Sequence, residues 1–139
     1  MNSKDRNIEI LEPKNQLSLY GYKNYFNSFK ELYAKNRFPN VILLSGQKGL
    51  GKATFTYHFI NYLLSQNEKD RYDLQNFTIN TNNSTFKLIQ NHVHPNFFLL
   101  ENNLLEENIR IDQIRNLLKF LSKSTYSKKI KIVLLDNAE

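Results

Sequence analysis

Residues 41–57 read Val41-Ile-Leu-Leu-Ser45, then Gly46-Gln-Lys-Gly-Leu-Gly-Lys52-Ala-Thr54, then Phe55-Thr-Tyr57. Val41 to Leu44 are an unbroken apolar run rich in β-formers, the pattern of a strand buried on both faces of a parallel sheet. The middle carries three glycines, at 46, 49 and 51, and a lysine at 52. The last part restarts a helical pattern. Strand, glycine loop, lysine and helix, in that order, form a P-loop. Glycines let the backbone approach a ligand closely. Successive backbone N–H groups then form an anion nest, and the following helix adds the positive end of its dipole. Lys52 supplies a full charge for β- and γ-phosphates. A plain glycine turn would account for the glycines but not for a lysine at this spacing. The expected nucleotide-binding residues are Gly46, Gly49, Leu50, Gly51, Lys52, Ala53 and Thr54. One position departs from the pattern. The residue after the lysine should be Ser or Thr, whose hydroxyl ligates Mg²⁺, and here it is Ala53. Thr54 comes one place too late, about 100° round the helix. ATP and Mg²⁺ are therefore expected as ligands, with metal coordination weakened.

The chain of 139 residues bounds the answer to at most one ordinary domain, and 40% hydrophobic residues suffice for a core. Residues 1–20 read as a polar N-terminal arm and 21–139 as the P-loop domain. The first residues carry no signal-peptide pattern, and no apolar run approaches a membrane span. Cysteine is absent, which excludes disulfides and thiolate zinc sites and fits a reducing cytoplasm. The net charge of +6 admits a nucleic-acid partner. It equally fits a chain rich in Lys, Asn and Ile through genomic base composition, since no compact Lys/Arg block is present.

Outward from the loop, residues 21–37 show helical spacing, with Phe26, Phe29, Leu32 and Tyr33 on one face. A helix from Lys52 to about Ser65 should bury Phe55, Phe59, Tyr62 and Leu63, and His58 within it reads as a packing or surface residue. Residues 66–84 are Asn-rich and charged and read as a loop or variable surface segment. Asn83 or Ser84 could cap a short helix over 85–91. His92 and His94 lack a third ligand of the right type, so no metal is expected there. Residues 96–101 read as a second buried strand. Asp112 is the expected N-cap of a helix whose apolar face is Ile114, Leu117, Leu118 and Leu121, with Arg115, Lys119 and Lys123 on the solvent side.

Residues 131–136, Lys-Ile-Val-Leu-Leu-Asp, form a third apolar strand ending in an acid. A P-loop protein uses such an Asp to hold Mg²⁺, here Asp136 through water. In hydrolysing members of this class a Glu usually follows. Here Asn137 stands at that catalytic position, and an amide cannot take a proton from water. No catalytic residue is assigned with Ala53 and Asn137 both altered, and binding is expected to outlast hydrolysis.

Taken in order, these pieces resemble a known family. Leu19-Tyr-Gly-Tyr22 resembles its entry into the first helix, and the run from Arg37 to Gly46 its approach to the P-loop. Gly49-Leu-Gly-Lys-Ala53 is similar to a form many of its members carry, alanine included. His94-Pro-Asn-Phe97, Ile111-Asp-Gln-Ile-Arg115 and Lys131-Ile-Val-Leu-Leu-Asp-Asn-Ala-Glu139 resemble its later segments. The family is the delta-prime subunit of bacterial DNA polymerase III, the stator of the AAA+ clamp loaders, and the likeness runs from about residue 17 to 139.

The resemblance implies an α/β fold of the P-loop NTPase (AAA+) type, a three-layer sandwich with a parallel sheet. It also implies that later strands, lid and collar are missing from the 139 residues. In such a sheet a later strand separates the P-loop strand from the acid-bearing strand, so an exposed edge is expected and the piece should be marginal alone. The implied function is DNA replication, as a subunit of the DNA-directed DNA polymerase (nucleotidyltransferase) holoenzyme that helps load the sliding clamp onto primed DNA. Its partners would be other clamp-loader subunits, the clamp and DNA, with no membrane contact and a cytoplasmic location. Many relatives carry a four-cysteine zinc module, and without cysteine no zinc is expected here. The alternatives are an active P-loop ATPase of the clamp-loader gamma/tau type and a P-loop kinase. Ala53 and Asn137 speak against both.

Overall fold

A computed structural model describes residues 11–101, 109–125 and 130–136 of the chain. The aromatic spacing noted above becomes packing between α1, Lys23–Ala34, and α2, Lys52–Leu64. Phe26 is the hub. It is fully buried, and its ring meets Phe59 at 5.2 Å, Tyr62 at 5.6 Å, Tyr72 at 5.3 Å and Phe77 at 5.3 Å. Most of these pairs meet edge to face, the geometry that ring quadrupoles favour.

Helix α2 is buried more widely than its Phe55/Phe59/Leu63 face requires. Tyr57, Ile60 and Leu64 are also buried and pack on Ile89 and Phe97 in a second cluster. A helix apolar around most of its circumference lies inside rather than on a surface. A one-face reading was therefore too narrow, and α2 lies between two hydrophobic clusters.

Residues 66–84 do not behave as a variable surface segment. Tyr72, Phe77 and Ile79 are buried in the first cluster. The arm pairs with this segment: Leu19 N donates to Phe77 O (3.0 Å), Ile79 N donates to Leu17 O (2.9 Å), and Ser18 bridges Thr78 antiparallel. The polar residues are satisfied by one another. Asn61 and Asn83 exchange amide bonds at 3.1 and 3.2 Å. Ser65 Oγ accepts from Tyr72 N (3.1 Å), and Glu68 accepts from Ser84 N (2.8 Å) and Thr85 N (3.1 Å). Among the described residues no buried side-chain nitrogen or oxygen lacks a partner, as the cost of an unpaired buried polar group demands. Asn83 caps α3, Ser84–Gln90, by accepting from Phe86 N at 2.7 Å.

The sheet among the described residues has two strands, β1 (Phe97–Glu101) and β2 (Ile132–Asp136), parallel and in register from Phe97 opposite Ile132 to Glu101 opposite Asp136. Helix α4, Ile111–Ser122, makes the crossover that parallel strands require. It rests on β1 through Phe120 against Phe98, with ring centroids 5.4 Å apart. Lys131 donates to the carbonyls of Phe120 (2.5 Å), Leu121 (3.2 Å) and Lys123, so a cation closes the negative end of α4.

Three further expectations are corrected. Residues 41–45 are not a strand: Val41 is 87% and Leu43 84% exposed, and only Leu44 turns onto the first cluster. A strand exists through its ladder, and no described segment supplies one here. Arg110, not Asp112, precedes the first turn of α4, where Gln113 Oε1 accepts from Arg110 N at 2.9 Å. Asp112 lies inside that turn, a favourable place for a negative charge near the helix N-terminus. The face of α4 that touches β1 holds Gln113, Leu117 and Phe120, while Ile114, Leu118 and Leu121 are exposed. The class observed is α/β with a parallel sheet.

Candidate nucleotide-binding site

The loop of residues 46–51 runs directly into the N-terminus of α2. Gly49 (φ 86°) and Gly51 (φ 83°) hold left-handed backbone that a β-carbon would strain. Gly51 is the N-cap residue, and its carbonyl accepts from Phe55 N at 2.9 Å to open the helix. Lys52 is the first helical residue. Its Nζ turns back over the loop and donates to Gly46 O and, at 3.3 Å, to Gln47 O. The glycines and the lysine are thus brought together, with the lysine ammonium bonded to two carbonyls of the loop. Ala53 follows in the first turn with a methyl group. Thr56 Oγ1, farther along, is occupied by Lys52 O at 2.9 Å.

A shallow cleft of about 200 Å³ lies beside the loop. One wall is Gly49, Leu50, Gly51 and Thr54. The other is the arm, with Gln16, Ser18, Tyr20 and Tyr22. Thr54 faces this cleft. The sequence marks residues 1–20 as a polar arm and Leu19-Tyr-Gly-Tyr22 as the entry to α1, and nothing in it marks these residues as the wall of a site.

The arm is held to α2 by His58, which is fully buried. Its Nε2 lies 2.8 Å from Gln16 O, and its Nδ1 lies 2.8 Å from the Tyr72 hydroxyl. A backbone carbonyl can only accept, so Nε2 carries the proton and Nδ1 accepts from Tyr72. Burial lowers the His58 pKa to about 4, against the upward pull of the Gln16 carbonyl.

Asp136 is the last residue of β2, directly opposite Glu101 at the end of β1. Both carboxylates act on the Tyr57 phenol of α2. Burial raises the Tyr57 pKa well above its usual value, and the charges of Asp136, Glu101 and Glu12 raise it further. Asp136 is therefore within electrostatic reach of Tyr57 on the helix that carries Lys52, and Glu101 is a second acid at that end of the sheet. Asn137 and Glu139 lie outside the described residues. Among those described, no three His, Asp or Glu side chains converge to hold a metal ion. His94 is buried, and its Nδ1 accepts from Asn96 N at 3.1 Å.

Comparison with known proteins adds two findings. The family model for "DNA polymerase III, delta subunit" matches residues 21–139. A curated relative, DNA polymerase III subunit delta' from Pseudomonas aeruginosa, is 28% identical over 111 residues, covering 80% of this chain and 32% of that protein. The chain thus spans about a third of the length of the curated relative it matches.

Proposed function

Because the chain belongs to the DNA polymerase III delta subunit family, we propose that it is the nucleotide-site portion of a delta-prime-type clamp-loader subunit in DNA replication. In this reading it docks beside other clamp-loader subunits, in the cytoplasm, and helps them load the ring-shaped clamp onto primed DNA. Its domain is a P-loop sandwich of the AAA+ type, of which β1 and β2 are part. Among the described residues no helix is long and apolar enough to cross a membrane.

The observation that carries the reading is a glycine loop with left-handed backbone at Gly49 and Gly51, closed by Lys52 at the start of a buried helix and followed by Ala53. Backbone amides and an ammonium group suffice to hold a polyphosphate. Gly46, Gly49, Leu50, Gly51, Lys52 and Thr54 would line that site. ATP supplies the polyphosphate, and Mg²⁺ would be held only through Asp136, since Ala53 has no hydroxyl to give it. Asn137 can hold a water but cannot accept its proton. The site binds and does not turn over, and the work of the subunit lies in assembly.

The test measures ATP binding and hydrolysis by the full chain and by a variant carrying Ala53→Thr with Asn137→Glu. Binding without turnover in the wild type, and a rise in hydrolysis in the variant, supports the reading. Robust wild-type turnover would overturn the stator role, and absence of ATP binding would overturn the nucleotide site.

A further inference from the structure

We propose that Tyr22 is a latch that holds the glycine loop closed on itself and so lowers the affinity of this site for polyphosphates. The proposal rests on the nucleotide reading and adds its regulation. Tyr22 stands at the junction of the arm and α1. Its ring is fixed against Phe55, 5.5 Å between centroids, and Tyr25, 6.2 Å. Its Cε2 atom lies 3.6 Å from where a β-carbon on Gly51 would stand, so the ring covers the C-terminal end of the loop. From there the hydroxyl donates to Leu50 O.

That bond holds the backbone of the residue whose side chain reaches Gly46. Leu50 Cδ1 lies 3.4 Å from the β-carbon position of Gly46, at the opposite end. The Lys52 stem lies 3.9 Å from the same point, and its ammonium group is bonded to the carbonyls of Gly46 and Gln47. An isobutyl group, that of the half-exposed Leu50, therefore lies over the Gly46 end of the loop, and the cation meant for phosphate is paired with loop carbonyls. For a polyphosphate to bind, the Leu50 peptide unit must shift and Lys52 must let go of the loop carbonyls. The Tyr22 bond, made to the Leu50 carbonyl, resists the first of these movements. A ligand that binds only the open state sees its affinity reduced by the fraction of molecules that are open. Removing the hydroxyl raises that fraction without touching the loop.

The experiment compares the full chain with Tyr22→Phe, which keeps the ring on Phe55 and Gly51. Two probes are titrated, ATP and inorganic pyrophosphate, and hydrogen exchange is followed at the amides of residues 47–51. One neutral hydrogen bond sets the scale, so both probes should bind about two- to tenfold more tightly to Tyr22→Phe. The loop amides should exchange faster by a similar factor. Equal or weaker binding overturns the latch while leaving the nucleotide site standing. A change for ATP alone also overturns it, since that would mark Tyr22 as a contact of the base. If neither protein binds either probe, the nucleotide reading falls and exchange decides the latch: faster exchange upholds it, and unchanged exchange removes it.

Discussion

Mild acid should weaken this protein through a single imidazole. His58 is enclosed, with both ring nitrogens already bonded, to Tyr72 and to the Gln16 carbonyl. Burial holds its pKa near 4, against 6.5 for an ordinary histidine. The gap corresponds to about 3 kcal/mol, a large share of a stability that is commonly about 5–15 kcal/mol. The sign follows from which state takes the proton first. Above pH 6.5 the ring is neutral folded and unfolded, and the full stability is present. Below that the unfolded chain binds a proton that the folded chain refuses, so stability falls by about 1.4 kcal/mol per pH unit. The loss is complete near pH 4, where the folded ring protonates too. The assay is urea unfolding followed by tyrosine fluorescence and far-ultraviolet circular dichroism, at steps from about pH 7.5 to about pH 4.5. His58→Gln is measured in parallel. Its amide can donate to Gln16 and accept from Tyr72 but cannot titrate. The difference between the two proteins isolates the imidazole from the carboxylates that also titrate in this range. Parallel pH dependences for wild type and His58→Gln would refute the argument, as would a wild-type stability that is flat between about pH 6.5 and pH 5.

Two further outcomes are expected. Glu68→Ala removes the acceptor of the Ser84 and Thr85 amides at the start of α3, and denaturant unfolding should show a loss of about 1–3 kcal/mol with the secondary structure retained. Val41→Lys with Leu43→Lys places charges on two side chains already in water. It should raise the concentration at which the chain self-associates in sedimentation velocity, with unfolding stability changed by less than about 0.5 kcal/mol.

Much of this architecture could be read from residue order because its patterns are local. Helix α1, helix α2 and the apolar runs that become β1 and β2 each declare themselves by periodicity or by a short β-rich run, and the glycines at 49 and 51 announce a turn. The failures are non-local. Residues 41–45 have the composition of a strand, but a ladder belongs to a pair of segments and no composition can promise the partner. The polar stretch at 66–84 looked like surface because Asn and Glu are usually hydrated. Here Asn61 answers Asn83 across 22 positions, and Glu68 answers Thr85 across 17. The far cluster on α2 was missed because Tyr57 and Ile60 lie off the single stripe that amphipathic counting seeks. At the site, the loop and Lys52 were legible as a motif. The arm wall and Tyr22 were not, since nothing in one sequence reveals that residue 22 reaches residue 50.

A rod gripped on opposite flanks can neither roll nor slide. With Phe55 and Phe59 seated in one cluster and Tyr57, Ile60 and Leu64 in the other, α2 is the stationary part against which everything near Lys52 is measured. If the loop ahead of this helix holds an anion, as proposed, any accommodation comes from the peptide units before Lys52 and the strip of chain facing them, while the anvil keeps its electric field aimed in one direction.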